Sequence, residues 1–174
     1  MKTIINSVVV LILFNLLPQV ILAQQNGWQN LKWGMEIEEV INEYPNSVKK
    51  DTPSRYQDPY GNMKINPIRL ESYKLVETDF FVDFIFDEDK LVGVVLGADD
   101  SISMNTNYSR VVNGLTTRYG EPYISEKDED DRITNIWESD GTQIRANYVP
   151  LPLLNRYSIR LSYWMMDTEQ LDRF

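Results

Sequence analysis

Residues 28–45, WQNLKWGMEIEEVINEYP, read as an aromatic lead-in strand, a glycine corner and one short amphipathic helix. Ile37, Val40, Ile41 and Tyr44 fall at i, i+3, i+4 and i+7, which is one face of a 3.6-residue period. Glu36, Glu38 and Glu39 crowd the first turn, where carboxylates complement the positive end of the helix dipole. Gly34 frees the backbone just before the start, and Pro45 ends the helix by disfavouring helical geometry at Tyr44. Trp28 and Trp33 are expected in the core, with Trp33 capping the apolar face. The remainder of the chain reads as sheet that covers this helix and a second one like it.

Upstream, Met1-Lys2 precedes an apolar run from Ile4 to Leu17, broken by Pro18 and closed by Val20-Ile21-Leu22-Ala23 before Gln24. A basic start, an apolar stretch and a small residue at the exit predict a signal peptide over 1–23, cleaved after Ala23. The competing reading is an uncleaved anchor, for which the apolar core is short. A lipid-modified N-terminus would need a cysteine at the exit, and the chain has none.

Removing 23 of 174 residues leaves 151, one domain's worth of chain over 24–174. Lys2 is the one charge lost, leaving 16 basic and 26 acidic residues and a net charge of −10. Such a surface repels nucleic acid and anionic lipid, and no basic cluster offsets it, so no nucleic-acid partner is expected; with the leader cleaved, no stable membrane anchor is expected either. Without cysteine or histidine the chain lacks disulfides, the usual zinc and copper ligands, and most nucleophilic triads. No cofactor or metal is implied.

Downstream, Asn46 to Asn66 reads as a long irregular loop, because Pro53, Pro59 and Gly61 interrupt any period. Its Arg55, Tyr56 and Tyr60 are residue types enriched where proteins grip partners, and they form the candidate partner-binding set. The plainer reading is a solvated loop with its tyrosines folded back on the sheet. Ile68 to Val76, Phe80 to Phe86 and Leu91 to Leu96 read as strands, with Asp87 to Lys90 as a solvated turn that lacks the calcium-loop pattern. Gly97 to Asn107 reads as a polar loop whose Asn105, Thr106 or Asn107 can cap a helix over 108–119.

That second helix carries Tyr108, Val111, Val112, Leu115 and Tyr119 on one face, with Gly120 and Pro122 beyond its end. Gly114 in its middle either permits close approach to the sheet or weakens the helix. After an edge piece at 123–125 and the charged loop KDEDDR at 127–132, Ile133 to Glu138 pairs with Thr142 to Val149 across Asp140-Gly141, a strong hairpin signal. Tyr157, Ile159, Leu161 and Tyr163 alternate as a last strand.

The predicted fold is therefore α+β: an antiparallel sheet with two amphipathic helices on one face, and a weak α-β-β-β duplication over about 28–98 and 99–166. One six-stranded sheet and two three-stranded lobes both fit this pattern.

The stretch Trp33-Gly34-Met35-Glu36-Ile37-Glu38-Glu39-Val40 resembles the W-G-M-(S/T)-x-x-x-V opening of small secreted bacterial envelope domains. These include the small outer-membrane assembly lipoproteins (SmpA/OmlA-like) and the tandem-repeat β-lactamase-inhibitor-like domains. Tyr119-Gly120-Glu121-Pro122 is similar to the segment that closes the helical part in those families. Trp137 with Asp140-Gly141-Thr142 and Ile144 is similar to a hairpin common in secreted proteins. Glu36 departs from the Ser or Thr expected at the helix cap, and the lipid-bearing cysteine is missing. The resemblance implies a binding or scaffold module with a protein partner in the envelope, not an enzyme. The exit Ala23-Gln24 resembles that of Bacteroidota-type secreted proteins, in which Asp100-Ser101-Ile102 matches a short periplasmic O-glycosylation pattern at Ser101.

Three functional readings follow: a periplasmic or secreted protein-binding module, a carboxylate-dependent hydrolase such as a glycosidase, and a purely structural domain. The second needs two carboxylates about 5–9 Å apart. Most Asp and Glu residues sit at turns and helix starts, and Asp83, inside an apolar strand, is the unusual one.

Overall fold

The computed structural model describes residues 26–100, 104–154 and 156–166. The predicted leader, Ser101 and the segment after 166 lie outside them. The architecture is α+β with an antiparallel sheet. A two-stranded ribbon, β1 (Gly27–Trp28) and β2 (Leu31–Lys32), leads into helix α1 (Ile37–Glu43). Four strands follow: β3 (Val48–Gln57), β4 (Met63–Leu75), β5 (Thr78–Asp87) and β6 (Lys90–Asp100). Helix α2 (Met104–Tyr119) precedes β7 (Ile124–Lys127), β8 (Ile133–Ser139), β9 (Thr142–Leu151), a 3-10 turn (Pro152–Leu154) and β10 (Arg156–Met165). Among the described residues, β3 to β10 form one eight-stranded sheet in the order β3-β4-β5-β6-β10-β9-β8-β7. Each helix is thus followed by four strands rather than three, and the two four-strand meanders meet where β6 pairs with β10.

The glycine corner joins the two meanders. Gly34, at φ 86°, donates its N–H to the Leu91 carbonyl at 2.8 Å, and Leu91 returns a bond to Met35 at the same distance. The Trp33 indole N–H reaches across to Thr142 Oγ1 at 2.9 Å, in the second meander. Glu36 stands at the helix cap because its carboxylate is engaged by Lys90 at 2.8 Å, while Glu39 accepts the Glu36 backbone N–H at 2.7 Å. Trp28 is buried among Tyr44, Tyr73, Phe84 and Tyr163, with ring centroids 5.3–6.4 Å away.

Val40 of α1 and Tyr108, Val111 and Leu115 of α2 are buried in one apolar cluster with Phe84, Val94, Ile144 and Leu161 of the sheet. The hydroxyl of Tyr108 donates to the Ala146 carbonyl at 3.1 Å and accepts from the Asn135 amide at 2.8 Å, so a buried polar pair is satisfied under the helix. The Trp137 indole donates to the Gly120 carbonyl at 2.9 Å and ties β8 to the end of α2, where Gly120 takes φ 83°.

Two sequence expectations are corrected, and one that stood open between two alternatives, at Gly114, is resolved. Asn46–Asn66 is not an irregular loop; most of it is β3 and the start of β4. Pro53 is tolerated because the β3–β4 register shifts between Lys49 and Ser54, opposite Pro67, where neither proline has a donor to give. Pro59 and Gly61 lie in the hairpin turn, which Asp58 holds by accepting the N–H groups of Tyr60 and Asn62 at 2.9 and 2.8 Å. The polar loop expected at 97–107 is shorter: Gly97–Asp100 continue β6 against β10, and α2 begins at Met104, which places Asn105, Thr106 and Asn107 inside its first turn rather than at its cap. Gly114 is exposed, with open space where a Cβ would lie, so it makes no close approach to the sheet.

Candidate functional site

Strand alternation gives the sheet a second face, whose small apolar cluster of Ile85, Val92, Val95 and Trp164, backed by Tyr56, contains no residue of α1 or α2. Register aligns this outer face in rows. One row runs Arg69, Asp83, Val95, Ser162, Arg145 and Ile136 from β4 to β8. The next runs Phe81, Gly97, Arg160, Asn147 and Thr134, and a third runs Ile85, Gly93, Trp164, Gln143 and Glu138. The two glycines make room for rings: a Cβ at Gly97 would stand 2.3 Å from Phe81 Cζ, and one at Gly93 would stand 2.5 Å from Trp164 Cε3. Phe81 is flanked by guanidinium groups, with Arg69 4.1 Å and Arg160 5.2 Å from its ring centroid.

Asp83 is the centre of the polar chemistry. It is fully buried, and its two oxygens accept the Arg69 fork at 2.7 Å each. The Lys50 ammonium lies 3.1 Å from Oδ1, and the Tyr56 hydroxyl donates to Oδ2. Four donors occupy a carboxylate with about four acceptor positions, so its capacity is spent. Lys50 is shared with Ser54 Oγ at 3.2 Å and with the Asn66 carbonyl oxygen. The Asn66 amide nitrogen in turn donates to the Ile68 and Phe84 carbonyls at 2.6 and 2.8 Å. A buried network with every member paired is rigid rather than costly.

Electrostatics follow from these contacts. Burial works to raise the Asp83 pKa, but the hydrogen bonds from Arg69, Tyr56 and Lys50 outweigh it and hold the carboxyl below its ordinary value. Burial, then the bond to Asp83, pushes the Tyr56 phenol well above the usual tyrosine range. The bond to Asp83 likewise raises the Arg69 pKa. A carboxylate kept ionised by cations is unsuited to act as a general acid, which needs a raised pKa. The hydrolase reading therefore gains nothing from Asp83.

The candidate partner-binding residues do not form one set. Tyr56 turns inward to Asp83 and is half-buried, whereas neighbouring Arg55 is exposed on the opposite side of β3. Tyr60 sits in the β3–β4 turn, half-buried. Lys50, Asn66, Arg69, Phe81 and Arg160 escaped the sequence reading. The signal was Asp83 itself, a lone acid in an apolar strand that requires cationic company. Which cations supply it depends on register across β3, β4 and β5. Among the described residues no group of three acidic, histidine or cysteine side chains could hold a metal ion, and no helix is long and apolar enough to cross a membrane.

No family model matches the chain, and neither a curated protein nor a solved structure shows significant similarity to it.

Proposed function

We propose that this protein is an exported, non-catalytic binding or scaffold module of the bacterial cell envelope, and that it grips a protein partner through the outer face of its sheet. The observation that carries this reading is the half-buried Arg69–Phe81–Arg160 stack beside Tyr56 on that face. Arginine and aromatic side chains in partly covered positions are the residue types that dominate protein interfaces. Export rests on the leader pattern at 1–23. The recurrence of a helix and a four-strand meander supports a duplicated α-β unit with both amphipathic helices on the inner face. Kinship with the SmpA/OmlA-like and tandem-repeat inhibitor-like domains rests on the sequence resemblance at Trp33–Val40. The acidic balance of the chain argues for a protein partner over nucleic acid.

A photo-crosslinking amino acid placed at Phe81, with a control at Thr117 on the exposed side of α2, tests the reading in an envelope extract. A discrete adduct from position 81 and none from position 117 is expected. Adducts confined to position 117, or none at either site, would refute it.

A further inference from the structure

β3 has an unusual pattern of attachment. Of its ten residues, eight are exposed, and the two that are not, Lys50 and Tyr56, are the two that reach Asp83. Its backbone ladder to β4 is interrupted: Val48 and Lys49 pair with Arg69 and Ile68, pairing resumes with Ser54 opposite Asn66, and residues 50–53 stand against Pro67. The strand lies at the sheet edge, so among the described residues one side of its backbone pairs with no other strand. Apolar burial contributes little to holding it, apart from the contact of Tyr56 with the cluster at Ile85 and Trp164.

Asp83 keeps a partner without β3. The Arg69 fork belongs to β4 and saturates one side of the carboxylate by itself. If β3 leaves, no buried charge is orphaned, while Lys50 and the Tyr56 hydroxyl pass into water, where both are readily solvated. The large penalty that usually forbids opening around a buried carboxylate is absent for this strand.

We propose that β3 is a releasable edge strand, latched to the sheet by Asp83 through Lys50 and Tyr56, and that it opens as a unit while β4–β10 stay folded. Opening bares the free edge of β4, from Met63 to Arg69, as a row of backbone donors and acceptors. The titratable and charged groups facing the latch are Lys50 and the neutral Tyr56 phenol from β3, Arg69 and the nearby Glu71 from β4, and Arg160 from β10. The carboxylate is held mainly by groups whose charge persists across neutral pH, so the latch responds to displacement of Lys50 and Tyr56 rather than to mild acid.

Native-state hydrogen exchange on the full chain at low denaturant tests this. Amides of 54–57 are expected to exchange at least 100-fold faster than those of β5 and β9, with little denaturant dependence. The K50M/Y56F double variant is expected to speed exchange in β3 by a further tenfold or more and to leave β8 and β9 within twofold. Equal protection of β3 and β5 in the unmodified chain would overturn the proposal. So would a variant that accelerates β3, β5 and β9 by one common factor, because the latch would then be part of global stability. If the double variant does not fold, K50M alone is read in the same way. Trypsin supplies a second measurement: cleavage after exposed Arg55 is expected at denaturant concentrations well below the unfolding transition, and cleavage that tracks global unfolding would refute the opening.

Discussion

Replacing Asp83 by Asn removes the charge at the centre of the outer face while keeping nearly the same shape. Arg69 and Lys50 then lose their counter-ion, and the amide nitrogen of Asn meets donors where an acceptor stood. Removing one partner of a buried ion pair costs about 3–5 kcal/mol. The Arg69 and Lys50 side chains are 26% and 16% exposed, so both reach some water and the lower end applies, about 3 kcal/mol. For a chain of this size that corresponds to a fall in Tm of roughly 6–12 °C. The pH dependence provides a sharper test. The folded-state pKa of Asp83 lies below its ordinary value, so its stabilisation is present above the unfolded pKa, near 4, and is lost as pH falls through the folded value. Urea unfolding of both proteins should therefore differ by about 3 kcal/mol at pH 7, and the gap should close progressively in acid below about pH 4. A difference under ~0.5 kcal/mol at pH 7, or one that stays constant into strong acid, would refute the assignment of Asp83 as the ionised hub.

Gly114→Ala should raise stability by about 0.5–1 kcal/mol in thermal unfolding, because the position is helical, exposed and unobstructed. Trp28→Ala should cost about 3–5 kcal/mol by denaturant titration, since the ring is buried among four others. Gly93→Val should destabilise by about 1–3 kcal/mol, and pairing it with Trp164→Ala should recover part of the loss, because the added carbons occupy the space of that indole. Burial raises the Tyr44 phenol to about 12, and the Tyr56 and Tyr163 phenols are raised as well. Their contribution to stability is therefore complete below the unfolded tyrosine pKa, near 10, and is lost as pH rises through the folded values, so the midpoint of urea unfolding should fall steeply from about pH 10 to 12.

Amino-acid order alone determined the features whose physics is local. The 3.6-residue spacing of Ile37, Val40, Ile41 and Tyr44 and the stop at Pro45 identify α1, and the same spacing with Gly120 identifies α2. Asp140-Gly141 identifies the β8–β9 hairpin, since both residues accept the positive φ of its turn, 51° and 67°. Tertiary structure decided what depends on contacts distant in sequence. β3 carries a proline and almost no apolar residues, and it becomes a strand because β4 offers it an edge that tolerates the Pro53–Pro67 interruption. The joining of the meanders through β6 and β10 brings Gly97 of one half to Arg160 of the other. Asp83 announces in sequence that it needs cations, but Lys50, 33 positions earlier, and Arg69, 14 earlier, are selected by strand register. Local geometry repeats along a chain and leaves a period that can be read, whereas pairing between strands is chosen among many registers of similar local energy and is resolved when the whole sheet buries its face at once.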